Sequence, residues 1–119
     1  MQEFVCHGEW IGDSSAVVTI EGELDLSTAI QLRECLEGLH ERGITDHLVV
    51  DLSSCSFINS TGLGLLADAQ RRAESPLNVV ATEPQILQAL TVTALDSLFA
   101  VHGTREAALE ALRRQVGEL

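Results

Sequence analysis

The sequence predicts an α/β fold: a single small domain over residues 1–119, with a mixed, mostly parallel β-sheet of about five strands and about four helices. Three observations point there. Short branched apolar runs such as Leu48-Val49-Val50-Asp51-Leu52 alternate with stretches of helical periodicity, the pattern of parallel strands joined by helical crossovers. Aromatic residues are only 3% of the chain against 45% hydrophobic residues, so the core is built from Val, Ile, Leu and Ala. Two strand-like segments around a polar turn open the sequence and supply an antiparallel edge.

Taken in order, Phe4 to Ile11 and Ala16 to Glu21 read as those two strands, joined through Gly12-Asp13-Ser14-Ser15. Thr28 followed by Gln31 has capping-box spacing, and Ile30, Leu32, Cys35, Leu36 and Leu39 recur on one helical face up to Gly43, a natural stop. Leu48 to Leu52 suits a central strand buried on both faces. A polar loop follows, then a helix from Gly62 to about Glu74 that ends before Ser75-Pro76, where proline breaks the hydrogen-bond ladder. Leu77 to Ala81 is the next strand, and Thr82, Pro84 and Gln85 mark a helix start running to about Thr91. Leu98 to Val101 is a last short strand. Thr104 caps a final helix whose apolar stripe is Ala108, Leu109, Leu112 and Val116.

Eighteen acidic residues against seven Lys and Arg give a formal charge of -11, a surface that repels phosphate backbones and anionic lipids. No nucleic-acid or membrane partner is expected. The opening MQEFVCHGEW lacks the basic start and apolar run of a signal peptide, and no apolar stretch nears the roughly 18 to 20 residues that span a bilayer, so a cytoplasmic location is expected. Cys6, Cys35 and Cys55 have no C-x-x-C spacing and read as isolated reduced thiols. His7, His40, His47 and His102 are scattered without metal-ligand spacing and read as surface residues; no metal or cofactor is assigned.

The chemically unusual segment is Ser53-Ser54-Cys55-Ser56-Phe57-Ile58-Asn59-Ser60-Thr61-Gly62, which carries hydroxyls from a buried strand to a helix mouth. Free N–H groups and the helix dipole favour negative charge there by up to about 1 to 2 kcal/mol, so a phosphate on Ser60 is well placed. Equally, Asn59 or Ser60 serves as an ordinary N-cap, and the spacing alone does not decide between the two. Gly62 permits a tight helix start, and Gly64 a close approach to the sheet. Gly62-x-Gly64-x-x-Ala67 with Glu83 downstream also matches a dinucleotide fingerprint, but the expected strand ends near Leu52, too early to deliver the first glycine. No catalytic residue is assigned, since no nucleophile elbow occurs and paired acids such as Glu21 and Glu23 suit a solvated strand end. Asp25 follows the second strand and sits either in a turn or at the same sheet end as Ser60.

Gly22-Glu23-Leu24-Asp25 with Thr28-Ala29, the strand His47 to Leu52, and Ser56-Phe57-Ile58-Asn59-Ser60-Thr61-Gly62-Leu63-Gly64 together resemble the STAS domain of anti-sigma factor antagonists, over nearly the whole chain. The resemblance implies a non-enzymatic binding module that competes with a sigma factor for an anti-sigma factor serine kinase. The kinase would phosphorylate Ser60 and a serine phosphatase would reverse it. Asp25, Asn59, Ser60, Thr61, Gly62 and Leu63 would form the partner-binding surface of a monomer or weak dimer. One departure stands out: the family typically has Asp where this chain has Asn59, which keeps the capping ability and drops the charge. A constitutive STAS scaffold or complex subunit, not switched by phosphorylation, is the alternative, and a small nucleotide-binding domain a more distant one.

Overall fold

In the computed structural model, which describes residues 3–12, 14–43 and 47–117, strand β1 (Val5–Ile11) pairs antiparallel with β2 (Ser15–Leu24). Helix α1 (Ala29–Glu41) leads into β3 (His47–Ile58), and α2 (Ser60–Arg72) into β4 (Asn78–Val80). Helix α3 (Pro84–Val92), a 3-10 turn at Leu95–Ser97, β5 (Ala100–His102) and α4 (Arg105–Val116) complete the order. The sheet runs β1-β2-β3-β4-β5, and every pairing after the first is parallel, so β3 is central and β1 is the antiparallel edge. The Asp13 of the expected turn lies outside the described residues.

Strand alternation sorts the core into two layers. Ala16, Val18 and Ile20 of β2, Leu48, Val50 and Leu52 of β3, and Val79 of β4 face one side, where they bury Leu32 and Leu39 of α1, Leu66 of α2, and Ile86 and Leu90 of α3. Their intervening neighbours Val17, Val49 and Val80 face the other side and pack on Ala108 and Leu112 of α4. The apolar stripe expected on α4 is the one that docks, with Leu109 partly buried beside it. Thr104 caps this helix by accepting from the Ala107 N–H at 3.0 Å.

Several boundaries move. β3 does not end at Leu52 but continues to Ile58, so the expected polar loop is strand. Beyond Asp51 it has lost β4 and pairs with β2 alone, through two register irregularities; a ribbon with solvent on its flanks tolerates the hydroxyls of Ser53, Ser54 and Ser56. β2 likewise extends past Glu21 to Leu24. Ile30 is 58% exposed, and Ala29 takes its place on the buried face of α1. No capping box forms at Thr28, whose hydroxyl is used elsewhere, and α3 starts from Glu83 rather than Thr82, without a side-chain cap. β5 begins at Ala100, because Leu98 belongs to the exposed turn before it. His102 and His47 are half-buried rather than surface residues, and His102 Nε2 lies 3.0 Å from Oδ1 of the fully buried Asn78.

On the α4 side an ion-pair network ties the last helix to three strands. The Arg105 Nε–H donates to Asp51 Oδ2 at 2.9 Å and its Nη2–H to Thr19 Oγ1 at 2.6 Å, while Glu9 Oε1 stands 3.7 Å from Nη1. Asp51 is only 5% exposed. Burial pushes its carboxyl pKa up, but the Ser53 hydroxyl and N–H, together with Arg105, outweigh that and leave it below the usual value.

Replacing Arg105 by Met strands this carboxylate without its cation. We expect a stability loss of about 1 to 3 kcal/mol in urea titration at pH 7, below the full buried-pair range because Arg105 itself is partly exposed. Because folding lowers the pKa of Asp51, its contribution is present above the unfolded value near 4 and is lost as pH falls through the folded one. The gap between wild type and variant should therefore close in acid.

Candidate functional site

The β2–β3 ribbon ends with Leu24 opposite Ile58. One further bond closes it: the Asn59 N–H donates to the Leu24 carbonyl at 3.1 Å. Asp25 and Ser60, each one residue beyond this last rung, therefore both leave the sheet at the carboxyl end of the parallel strands, the end at which open α/β sheets place their ligands.

Asn59 is the N-cap of α2. Its Oδ1 accepts from the Gly62 N–H at 3.2 Å, and its backbone carbonyl accepts from the Leu63 N–H at 3.0 Å. The capping role thus falls to Asn59, which leaves Ser60 in the first helical position, exposed, with its hydroxyl making no hydrogen bond among the described residues. Thr61 is half-buried. Gly62 and Leu63, expected on the partner-binding surface, are turned into the core instead. A Cβ on Gly62 would lie 2.7 Å from Leu24 Cγ and 3.0 Å from Ile58 Cγ1, so only glycine lets α2 descend onto the ribbon here.

Gly64 behaves differently from the expectation. It is exposed, and a Cβ there would meet nothing within 4 Å, so the close approach to the sheet belongs to Gly62 alone. Four residues beyond Ser60, Gly64 shares its helical face and leaves bare backbone there. The fingerprint glycines do not form a dinucleotide cradle, though for another reason than the strand's length. β3 does reach the helix, but the Gly62 N–H is already taken by Asn59 and its Cα is packed against Leu24 and Ile58.

Asp25 organises the approach to α1. Its Oδ1 accepts from the Ser27 hydroxyl at 2.8 Å, the Ser27 N–H at 3.0 Å and the Thr28 N–H at 3.2 Å, while the Thr28 hydroxyl donates to the Glu23 carbonyl at 2.7 Å. These bonds, led by the Ser27 hydroxyl, hold the exposed carboxyl below its ordinary pKa. The turn role and the shared sheet end, alternatives in the sequence, are both realised. Gly22 earlier in the same motif takes φ +95° and lies against the Glu3 and Phe4 backbone, a position closed to other residues.

Three apolar side chains at this end escaped the sequence reading. Leu26 is 76% exposed, Ile30 58% and Phe57 43%, and they flank Asp25 and Asn59 in the chain. The available signal was the phase of α1: Ile30 is out of step with Ala29, Leu32, Leu36 and Leu39, and Leu26 precedes the helix. The cysteines are free, as expected, but Cys6 and Cys35 are neighbours that shift one another's ionisation rather than isolated thiols. Among the described residues no group of three metal-ligating side chains forms.

Fold and site together define a STAS domain, and the family described as "Mlab, STAS domain" matches residues 8–102. Anti-sigma-F factor antagonist RsfB of Mycobacterium tuberculosis is 33% identical over 100 residues, 82% of this chain and 81% of its own. The anti-sigma-B factor antagonist of Staphylococcus aureus is 31% identical, covering 71% of this chain and 81% of its own. The crystal structure of an anti-sigma factor antagonist from Mycobacterium paratuberculosis superposes with a TM-score of 0.84 at 30% identity, covering 93% of this chain and 95% of that one. The chain belongs to the STAS-domain family, among the anti-sigma factor antagonists.

The two glycines separate packing from surface. Gly62→Ala should cost about 1 to 3 kcal/mol by overpacking Leu24 and Ile58. Gly64→Ala should instead raise stability by up to about 1 kcal/mol, as alanine does in an unobstructed helix. Denaturant melts of both variants check the pair.

Proposed function

We propose that this chain binds an anti-sigma factor serine kinase and thereby frees a sigma factor, and that phosphorylation of Ser60 turns the binding off. The observation that carries the reading is the placement of an exposed hydroxyl, with no hydrogen bond among the described residues, in the first turn of α2 at the sheet end that Asp25 shares, on a chain that also leaves Leu26, Ile30 and Phe57 exposed near these residues in sequence. Such a surface offers apolar area for a partner near a modifiable hydroxyl. The partner-binding residues are Asp25, Asn59, Ser60 and Thr61 at the surface. Gly62 and Leu63 act from beneath by fixing the height of the helix.

Bare backbone at Gly64, on the face of Ser60, supports the same reading. An exposed glycine in a helix interior costs about 1 kcal/mol with no packing gain in the free chain, and close approach of a partner supplies a reason for it.

Phosphate would add about -1.5 to -2 charges to this surface. The dipole of α2 offsets about 1 to 2 kcal/mol, whereas an unpaired charge in a desolvated contact costs several, so the balance of roughly 3 kcal/mol lowers affinity about 10² to 10³-fold. Asn59 in place of the family's usual Asp favours a second reading, a STAS subunit that binds without being switched, because the cap survives while the charge next to the phosphorylated residue is gone.

Titration against the co-encoded kinase tests both readings. Ser60→Ala should bind as wild type and Ser60→Asp weaken binding at least about tenfold. Incubation with kinase and ATP should place one phosphate on Ser60 and none on Thr61, removable by the cognate serine phosphatase. Equal affinities for all three proteins, with no phosphate added, would overturn the switch and leave the constitutive subunit.

A further inference from the structure

We propose that Cys6 and Cys35 form a peroxide-oxidisable dithiol that closes to an intramolecular disulfide and so ties edge strand β1 to α1. The geometry begins with strand alternation: Cys6, Gly8 and Trp10 lie on one face of β1. That face looks at α1. Trp10 stacks under the Arg42 guanidinium, just past the helix end, with 5.3 Å from ring centre to Cζ. A Cβ on Gly8 would lie only 3.4 Å from Cys35 Sγ, so the missing side chain at Gly8 makes the seat for the Cys35 thiol, one pleat from Cys6. Both cysteines border the same core cluster, both are half-buried, and their thiols are free and close enough to shift one another's ionisation.

The pair is asymmetric. The hydrogen bond from Cys6 pulls the Cys35 thiol down to about 7 against the opposing effect of burial, while the same bond and burial push Cys6 up. This direction favours Cys35 as the attacking sulfur, and the single-cysteine variants below decide it. Cys55 is a built-in contrast: it is 1% exposed, burial raises its pKa, and its thiol donates to the Phe57 carbonyl at 3.3 Å.

In the first step the Cys35 thiolate attacks one peroxide oxygen; the S–O bond forms, the O–O bond breaks, and hydroxide leaves to give a sulfenic acid. In the second, the Cys6 sulfur attacks Cys35 Sγ; the S–S bond forms, the S–O bond breaks, and the Cys6 proton departs with the hydroxyl as water. Two thiols are oxidised by two electrons in all, and hydrogen peroxide is reduced to two waters.

The test is to expose the whole chain to equimolar hydrogen peroxide at neutral pH, alkylate the remaining thiols and map the peptides by mass. We expect a Cys6–Cys35 cross-linked peptide lacking two hydrogens, with Cys55 alkylated. Cys35→Ser should slow peroxide consumption at least about tenfold, and Cys6→Ser should stop at a sulfenic acid on Cys35 that dimedone traps. Both changes are near-isosteric, and thermal melts confirm the fold of each. A cross-link involving Cys55, a cross-link only between chains, a sulfinic acid without a cross-link, or a Cys35→Ser variant that consumes peroxide at the wild-type rate would each overturn the assignment.

Discussion

The parallel pairing of β2 with β3 beyond the rest of the sheet is the constraint on which the site depends. β4 supports β3 only over Val49–Asp51, yet the ribbon continues to Leu24 and Ile58, and the Asn59 N–H bond to the Leu24 carbonyl extends it by one more rung. Two sequence motifs more than thirty residues apart thereby end at the same height. The ribbon is held from the α2 side by Leu24, Cys55 and Ile58, which are buried, and it leaves its hydroxyl residues in solvent. Gly62 completes the arrangement, since any larger residue would lift α2 off Leu24 and shift Ser60 with it.

Much of this was legible in the sequence because it follows from local periodicity. The aliphatic runs at Leu48–Leu52 and Leu77–Ala81, the α4 stripe and the Thr104 cap are fixed by side chains that must be buried or must close a helix, and the structure keeps them. The second half of β3 was not legible. Ser53, Ser54 and Ser56 resemble a loop because strand propensity reports burial on a sheet face, and a two-stranded ribbon has little of it to report. Ile30 departs from its expected place for a related reason: apolar residues near helical spacing include some that the fold leaves in solvent.

Asp25 and Ser60 were legible as possible neighbours from topology, since each follows a strand of the parallel pair, and the family resemblance added a shared role. What spacing left open was the division of labour between Asn59 and Ser60. The structure resolves it by chemistry: an amide oxygen reaches the Gly62 N–H from the N-cap, so the following hydroxyl is not consumed. A carboxylate at position 59 would make the same bond and add charge beside the Ser60 hydroxyl. The amide keeps the helix start intact at no electrostatic cost to a phosphate there.

Within four residues the chain passes from a capping amide, through an exposed hydroxyl and a half-buried threonine, to a glycine and a leucine in the core. Charge added at Ser60 therefore changes the surface without touching the contacts of Gly62 and Leu63 that hold α2 down. A refolding event is not required for such a modification to be felt. The partner would meet a changed charge on an unchanged shape, and the electropositive helix terminus underneath would keep the modified state from becoming unstable. Packing just below the surface would let a charge placed at Ser60 act on binding alone.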